Sequence, residues 1–260
     1  MSLKISVIGA GKMAWSLIPA LQKAGADVIQ LISRSASSRK KYTEAYQIPD
    51  HTALLSALSP QADWVILTLP DQHISSIAAQ LAGVLQPSQT LLHTSGSTDM
   101  EKLRLGGSQC AVLYPMQIFT TDFAVDFATV PIFVEGDPEV YPFVERFSRQ
   151  LSQRVYPLNS EGRMKLHLGA VIACNFSNYL YRWAEENMPE IEGIDFGIYE
   201  PLVREQVDKV FQLSPQNTQT GPAVRGDVNV LLQHLSLLEK EEQRRLYRWL
   251  SLQINEHLPI

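Results

Sequence analysis

The chain has 260 residues, of which 45% are hydrophobic and 19% are charged, and this balance excludes an intrinsically disordered protein. A formal net charge of -5 argues against an extended nucleic-acid-binding surface. The length suits two domains, and no apolar run approaches the roughly 20 residues of a membrane span.

The N-terminal segment, residues 3–8, is rich in apolar and β-branched side chains and predicts a β-strand. Because Lys4 and Ser6 interrupt it and a glycine turn ends it, we interpret it as a strand and not as a signal peptide. The two cysteines, Cys110 and Cys174, lie in apolar stretches without metal-ligand spacing. We therefore expect buried thiols and no metal site, in a cytoplasmic protein.

This strand leads directly into residues 9–14, Gly-Ala-Gly-Lys-Met-Ala, and a helical spacing of apolar residues follows. A strand, a GxGxxA turn and a helix in this order are typical of dinucleotide binding. Gly9 permits the tight turn, Gly11 lets the backbone approach a pyrophosphate, and Ala14 lets helix and strand pack closely. The alternative is a tight turn without a ligand. The predicted pyrophosphate-binding residues are Gly9, Ala10, Gly11, Lys12 and Met13.

A second predicted strand, residues 27–32, ends at Ser33, Arg34 and Ser35, where NAD-binding proteins carry an acidic residue for the ribose hydroxyls. Arg34 can form charge-assisted hydrogen bonds with a 2′-phosphate, and both serines offer hydroxyl donors. These residues favour NADP as the cofactor. The cations at positions 39–41 either add positive potential or form a solvated helix face.

Strands and helices alternate along the first part of the chain, which predicts a parallel α/β sheet with crossover helices. We expect further strands at residues 64–69, 90–93, 111–118, 131–134 and 154–158, helices at 36–46, 73–85 and 138–151, a turn at 48–50 and a short helical segment at 53–58. This arrangement indicates a Rossmann-type NADP-binding domain over residues 1–158.

After residue 158 the alternation gives way to long helical periodicity, at residues 161–188, 199–213, 227–238 and 241–254. We therefore predict an all-helical second domain, residues 159–260, which would close a dry pocket over the nicotinamide and bind substrate. Its apolar segments, among them residues 171–174, Phe176, Leu180 and residues 228–238, exceed what a small helical bundle can bury alone. This excess favours a homodimer formed through the helical domain.

Several stretches carry a resemblance to known families. The glycine turn, residues 33–35 and the Leu69-Pro70 strand end are similar to pyrroline-5-carboxylate reductases and deazaflavin-dependent NADP reductases. Residues 93–96 (His-Thr-Ser-Gly), 114–117 (Tyr-Pro-Met-Gln) and 220–227 (Thr-Gly-Pro-Ala-Val-Arg-Gly-Asp) resemble more closely a Rossmann-like family of NADP oxidoreductases without an assigned substrate.

This resemblance covers essentially the whole chain. It implies a Rossmann domain followed by a helical domain like the C-terminal domain of 6-phosphogluconate dehydrogenase, with NADP as cofactor and Leu69 and Pro70 lining its ribose. In the family the second motif usually begins with histidine, whereas this chain has Tyr114. A tyrosine with its reference pKa of about 10 is a poorer base at neutral pH.

Candidate site residues in the first domain follow the fourth strand of the parallel series. Ser95, in the turn after that strand, could hold the nicotinamide carboxamide or a substrate oxygen, and the alternative is a plain βα turn. His93 ends the strand itself, and a hydrogen-bonded core histidine is the favoured interpretation.

Candidate catalytic residues in the helical part begin with His167 and Asn175. At 3.6 residues per turn, His167 shares one helix stripe with Cys174 and Asn178, and Asn175 lies beside it. A histidine that packs against another helix is the alternative. Lys165 lacks the asparagine four residues later that hydroxyacid dehydrogenases of similar architecture use, because Gly169 stands there.

The loop at residues 220–227 contains Arg225 and Asp227. Asp227 is positioned to cap the next helix. Arg225 could clamp an anionic substrate group or pair with Asp227.

From these residues we predict a two-domain NADP-dependent oxidoreductase that transfers a hydride between nicotinamide and a small carbonyl, imine or hydroxy acid. An NADP(H)-binding sensor without turnover and a deazaflavin-coupled NADP reductase are the alternatives. We expect neither a nucleic-acid nor a membrane partner. The candidate catalytic residues are His167, Asn175, Arg225 and Ser95, with Ser95 also a candidate cofactor ligand.

Overall fold

The computed structural model describes residues 2–121, 123 and 125–260. The chain divides into two compact units, the first ending at Ala173 and the second comprising Cys174–Ile260. The first unit therefore includes the helix that begins at Ser160, although the predicted second domain begins one residue earlier. The functional division at residue 158 stays a prediction.

The first unit contains an eight-stranded sheet in the order β3-β2-β1-β4-β5-β6-β7-β8. Neighbouring strands are parallel except β6 and β7, which run antiparallel. The strands are β1 (Lys4–Ile8), β2 (Asp27–Ile32), β3 (Asp50–Thr52), β4 (Trp64–Leu67), β5 (Thr90–His93), β6 (Gln109–Pro115), β7 (Ile132–Gly136) and β8 (Val155–Pro157). This topology confirms the Rossmann-type fold predicted from the alternating pattern.

Helices cover both faces of the sheet. They are α1 (Lys12–Lys23), α2 (Ala36–Tyr46), α3 (Asp71–Leu81), α4 (Tyr141–Leu151) and α5 (Ser160–Ala170). Along β4, Trp64 and Ile66 pack into one apolar core while Val65 and Leu67 pack into the other. Burial on both faces explains why β4 is a continuous apolar run, as expected for a strand in the centre of a parallel sheet.

The second unit is helical, and its small core contains Ala223, Leu231 and Leu258. Its helices are α6 (Ser177–Glu186), α7 (Glu200–Leu213), α8 (Pro215–Thr218), α9 (Pro222–Arg225), α10 (Val228–Leu237) and α11 (Glu241–Ile254). Helices α6 and α7 bury none of their residues. Among the residues that the structure describes, no helix has the length and hydrophobicity to cross a bilayer.

Three expectations from the sequence are wrong. Asp50, predicted to end the turn at residues 48–50, instead begins edge strand β3, because the backbone of residues 50–52 continues the sheet beside β2. Cys174 is exposed, whereas Cys110 is buried as expected. The helix predicted at 161–188 contains a π-helical turn at Val171–Phe176, so the stripe counted from His167 at 3.6 residues per turn does not continue through it.

Candidate functional site

The glycine turn between β1 and α1 has the geometry of a phosphate-binding loop. Gly9 has φ = +116°, and a Cβ there would lie 2.6 Å from the carbonyl oxygen of Thr68, so the backbone itself requires glycine. Gly11 has an ordinary negative φ, and a Cβ there would meet no atom within 4 Å. The fold itself therefore does not require glycine at position 11. The space beside this residue is open, and a ligand can approach its backbone there.

The N-terminus of α1 adds hydrogen-bond donors to this open space. No side chain caps the helix, so the first-turn N–H groups at Lys12 and Met13 are free to face a phosphate. Leu69 borders the same turn, since its Cδ2 lies 3.0 Å from the Cβ position of Gly9. The exposed Pro70 follows it at the start of α3. The predicted pyrophosphate and ribose residues thus converge, and the cradle fits a dinucleotide.

Helix α2 supports both ends of this cradle. The Tyr42 hydroxyl donates to the carbonyl oxygen of Gly11 at 2.8 Å, and burial raises the pKa of Tyr42 to about 12. Arg39 donates to the carbonyl oxygens of Ser33 and Arg34, which holds the loop that follows β2. One of the three predicted cations at 39–41 is therefore a structural clamp.

The residues predicted to bind a 2′-phosphate lie together at the end of β2. Arg34 and Ser35 are exposed, and Ser33 is half-buried. Ser35 caps α2 by accepting from the backbone N–H of Ser38. An uncommitted guanidinium beside a helix N-terminus suits a phosphate monoester.

The turn after β5 is internally bonded. Ser95 Oγ accepts from the backbone N–H groups of Ser97 and Thr98 and contacts Thr98 Oγ1 at 3.0 Å. The N–H of Ser95 donates to Nδ1 of His93, which is fully buried. Burial lowers the pKa of His93 to about 3, so its ring is neutral. These contacts indicate a core role for His93 and a loop-shaping role for Ser95.

Beyond this turn the structure brings Tyr114 and His167 together. Tyr114 is in β6, His167 is in α5, and Tyr114 Oη lies 3.3 Å from His167 Nδ1. Their rings meet edge to face with centroids 6.2 Å apart. Burial raises the pKa of Tyr114, which keeps its hydroxyl protonated at neutral pH. The pair lies toward the carboxyl edge of β5 and β6, where doubly wound sheets bind ligands.

A buried arginine fixes the helix that carries His167. Arg163, one turn earlier on α5, is 1% exposed and forms an ion pair with Glu135 of β7. Its guanidinium also donates to the carbonyl oxygen of Thr98 at 2.6 Å and to Ser160 Oγ at 3.0 Å. These bonds tie α5 to β7 and to the turn after β5.

Of the other candidates from the helical part of the sequence, Asn175 and Arg225 lie in the second unit and Lys165 lies on α5 of the first. Asn175 is exposed within the π-helical turn. Arg225 is exposed at the end of α9, and among the described residues it has no ion pair with Asp227, which caps α10 as predicted. Lys165 is an exposed cation paired with Glu161. The catalytic roles of Asn175 and Arg225 stay predictions.

Sequence reasoning missed two residues of this region. Tyrosine at position 114 is a poor base by its residue type, yet its hydroxyl is the group that meets His167. Arg163 stands one helical turn before His167, and this spacing is a signal that the sequence does contain. Its partner Glu135 is remote in sequence, so only the fold reveals the pair.

Two family models match consecutive parts of the chain. Residues 4–93 match the family described as NADP oxidoreductase, coenzyme F420-dependent, and residues 130–254 match a domain of unknown function, DUF2520. A crystal structure of a putative NADP oxidoreductase from Bacteroides fragilis is 34% identical, with a TM-score of 0.90 over 98% of this chain and 99% of that one.

More distant relatives share the fold. A reductive aminase from Aspergillus terreus in complex with NADPH and ethyl-5-oxohexanoate is 17% identical, with a TM-score of 0.72 over 99% of this chain and 95% of that one. Glycerol-3-phosphate dehydrogenase [NAD(P)+] from Geobacter sulfurreducens is 25% identical over 178 residues, 60% of this chain and 53% of the relative. The chain thus spans about half the length of the curated relatives it matches.

The match to the Bacteroides fragilis protein extends over both units and exceeds 30% identity. The glycine turn and the open space at Gly11 fit the cofactor that this family uses. The chain therefore belongs to the NADP oxidoreductase family of the Bacteroides fragilis protein, and it combines the NADP oxidoreductase match at residues 4–93 with the DUF2520 match at residues 130–254.

Proposed function

We propose that this oxidoreductase transfers a hydride between nicotinamide C4 and a small carbonyl, imine or hydroxy acid at the carboxyl edge of the sheet. The observation that carries the proposal is the Tyr114–His167 pair, which places an imidazole beside the turn after β5. Reduction of a carbonyl or imine needs one proton for the atom that gains negative charge, and the imidazole ring is a general acid that can supply it.

The cofactor residues have separate tasks in this proposal. The backbone from Gly9 to Met13 holds the pyrophosphate, Ser33, Arg34 and Ser35 hold the 2′-phosphate, and Leu69 with Pro70 lines the ribose. NADP supplies the hydride when it is bound. The open volume at Gly11 and the uncapped N-terminus of α1 support these assignments.

His167 is the proposed proton donor. Its ring is half-buried, and Nε2 has no hydrogen-bond partner among the described residues, so this atom is free to meet a substrate. Ser95 contributes by shaping the turn, since its own polar groups are already bonded. Asn175 and Arg225, whose side chains are exposed, stay predicted catalytic residues, with Arg225 predicted to clamp an anionic substrate group.

The test is NADPH oxidation with panels of small aldehydes, ketones, cyclic imines and 2-oxo acids. With the best substrate, His167→Ala should lower kcat by roughly 10²- to 10⁴-fold and leave the Kd for NADPH unchanged. His257→Ala is the matched control, because that side chain is 87% exposed at the C-terminal end and should leave kcat unchanged. Full activity of His167→Ala would remove His167 from the mechanism.

The family description favours a second candidate, in which hydride passes between NADP and a deazaflavin such as coenzyme F420. This reaction is tested by incubating the protein with NADPH and F420 and measuring the loss of deazaflavin absorbance. Turnover of F420 without turnover of any carbonyl or imine would select it. Tight NADPH binding without either reaction would instead indicate a nucleotide sensor.

A further inference from the structure

Three elements of the first unit meet at one hydrogen bond. Gly96 follows β5, Tyr114 is in β6 and His167 is in α5. A Cβ added at Gly96 would lie 2.7 Å from Nδ1 of His167 and 2.8 Å from Oη of Tyr114. No real Cβ atom tolerates such distances, so the absence of a side chain at position 96 makes room for the contact.

The glycine at position 96 has no conformational cause. Its φ lies outside the left-handed region, so an L-residue could adopt the same backbone. The neighbouring atoms are the ends of two polar side chains and not backbone. The requirement for glycine at this position therefore comes from the Tyr114–His167 pair itself.

Tyr114 is held rigidly. It is 7% exposed, its ring lies 6.2 Å from that of Phe133, and the two residues are paired across β6 and β7. A phenol hydroxyl can both donate and accept a hydrogen bond. As the acceptor it stays bonded to Nδ1–H of His167 both before and after Nε2 gives up its proton.

We infer that Tyr114 and Gly96 are positioning residues for His167: they engage Nδ1 and leave Nε2 as the proton-transferring atom. The two ring nitrogens are distinct, and the bond made by one fixes the tautomer and the direction of the other. Arg163 supports the arrangement by fixing α5 one turn before His167. The geometric part of the inference stands without a substrate, and its catalytic part rests on the proposed function.

The proton balance of the step is simple. Hydride adds to the carbonyl carbon, the π electron pair moves to oxygen, and that oxygen takes the Nε2 proton of the His167 imidazolium, which becomes the neutral ring protonated at Nδ1. The ring remains bonded to Tyr114 through Nδ1. A solvent proton then restores Nε2–H, so each turnover consumes one hydride and one proton. For an imine, the nitrogen takes the place of the carbonyl oxygen.

Nuclear magnetic resonance tests the geometry without any substrate. In protein labelled with ¹⁵N-histidine, long-range ¹H–¹⁵N correlations report the tautomer, and His167→Ala assigns the signal. We expect His167 of the native protein to populate one tautomer almost entirely at a pH where its ring is neutral. Tyr114→Phe and Gly96→Ala should convert it to a mixture. A mixture in the native protein, or no change in Tyr114→Phe, would overturn the inference.

Tyr156→Phe is the matched control. Tyr156 also stacks on Phe133, at 5.7 Å, but it is exposed and does not contact His167. Its loss of a hydroxyl should leave the tautomer unchanged. If Gly96→Ala fails to fold, the spectra of the native protein and of Tyr114→Phe still show whether Tyr114 fixes the tautomer of His167.

Kinetics separate this inference from the proposed function. With a turned-over substrate, Tyr114→Phe should lower kcat at least tenfold, leave the KM for NADPH unchanged, and be partly rescued by Tyr114→His, which can also hydrogen-bond Nδ1. A kcat equal to that of the native enzyme would overturn the positioning role. The native protein could show a single His167 tautomer that Tyr114→Phe abolishes and yet turn over no substrate. That result would support the positioning of His167 and reject the proposed function.

Discussion

Arg34 is the residue on which we propose that the choice of cofactor depends. Arg34 is exposed at the end of β2, and the Arg39 side chain donates to the carbonyl oxygens of Ser33 and Arg34. The backbone is thus ordered while the Arg34 guanidinium is left available. Such preorganisation reduces the entropy lost when a phosphate binds.

We expect Arg34→Ala to weaken NADPH binding by about 1–3 kcal/mol, or roughly 5- to 150-fold in Kd, through loss of a charge-assisted contact. NADH binding should be nearly unchanged, because NADH lacks the 2′-phosphate. Fluorescence titration with both cofactors measures the difference. Lys40→Ala removes an equal charge from the exposed face of α2 and serves as the control. Equal native affinity for NADH and NADPH would contradict the assignment.

His93 makes the stability of the protein depend on pH. Burial lowers its pKa to about 3 in the native state, whereas the unfolded chain takes up the proton near pH 6.5. Between these values the unfolded state binds more protons, so the free energy of unfolding falls as the pH falls. Above about pH 6.5, His93 does not change the free energy of unfolding. As the pH falls from about 6.5 toward 3, its contribution becomes increasingly destabilising.

Urea unfolding of the native protein and His93→Gln, at pH 7 and pH 5, tests this linkage. Glutamine can accept from the N–H of Ser95 but cannot titrate. Relative to the variant, the native protein should lose about 2 kcal/mol between the two pH values. Parallel pH dependence of the two proteins would show that His93 takes up its proton in the native state as readily as in the unfolded chain.

At the scale of elements, α5 connects the sheet to the candidate site. Asn159 caps it by accepting from the N–H of Gly162, and Arg163 anchors it to β7. Glu135 also accepts from Ser160 Oγ at 2.8 Å, so both partners of the ion pair have further hydrogen bonds. A buried pair of this kind is costly to break, because the remaining charge stays without compensation.

Arg163→Met should therefore lower the free energy of unfolding by about 3–5 kcal/mol. Lys165→Met on the same helix removes a cation whose side chain is 74% exposed, and it should leave stability unchanged. Thermal and denaturant unfolding of the two variants measure the contrast. Similar stability of the two variants would mean that the Arg163–Glu135 pair does not anchor α5.

At the scale of the whole molecule, the second unit exposes many large apolar side chains. Helix α7 exposes Leu202, Val207 and Phe211, the last at 86%. The small core around Leu231 does not cover them. Apolar side chains exposed along a whole helix are typical of an interface, and a second copy of the chain is the proposed occupant.

Light scattering during gel filtration should therefore give the mass of a dimer at micromolar concentration. The double variant Leu202→Glu, Phe211→Glu should be monomeric, because two charges would lose hydration in the interface. Leu54→Glu changes a side chain that is 63% exposed in the first unit and should remain dimeric. A monomeric native protein would remove the proposal.

Elements whose sequence pattern lies within one continuous segment could be predicted from the sequence. The strand patterns placed every strand except β3, whose three residues carry no apolar alternation. The long helices were located within a few residues, because amphipathic spacing extends over many turns. The π-helical turn at Val171–Phe176 left no pattern in the sequence, so the residues beyond it were assigned to the wrong stripe.

The candidate nucleotide-binding end of the protein could be predicted from the sequence alone. The strand, glycine turn and helix N-terminus follow one another within residues 4–23, and Arg34 follows directly after the next strand. Tertiary structure alone decided the rest of the site. Tyr114 and His167 are 53 residues apart, and they meet only because β6 ends at the sheet edge to which Arg163 anchors α5. The Tyr114–His167 and Arg163–Glu135 contacts leave no local pattern in the sequence, because both arise from packing between elements that are distant along the chain.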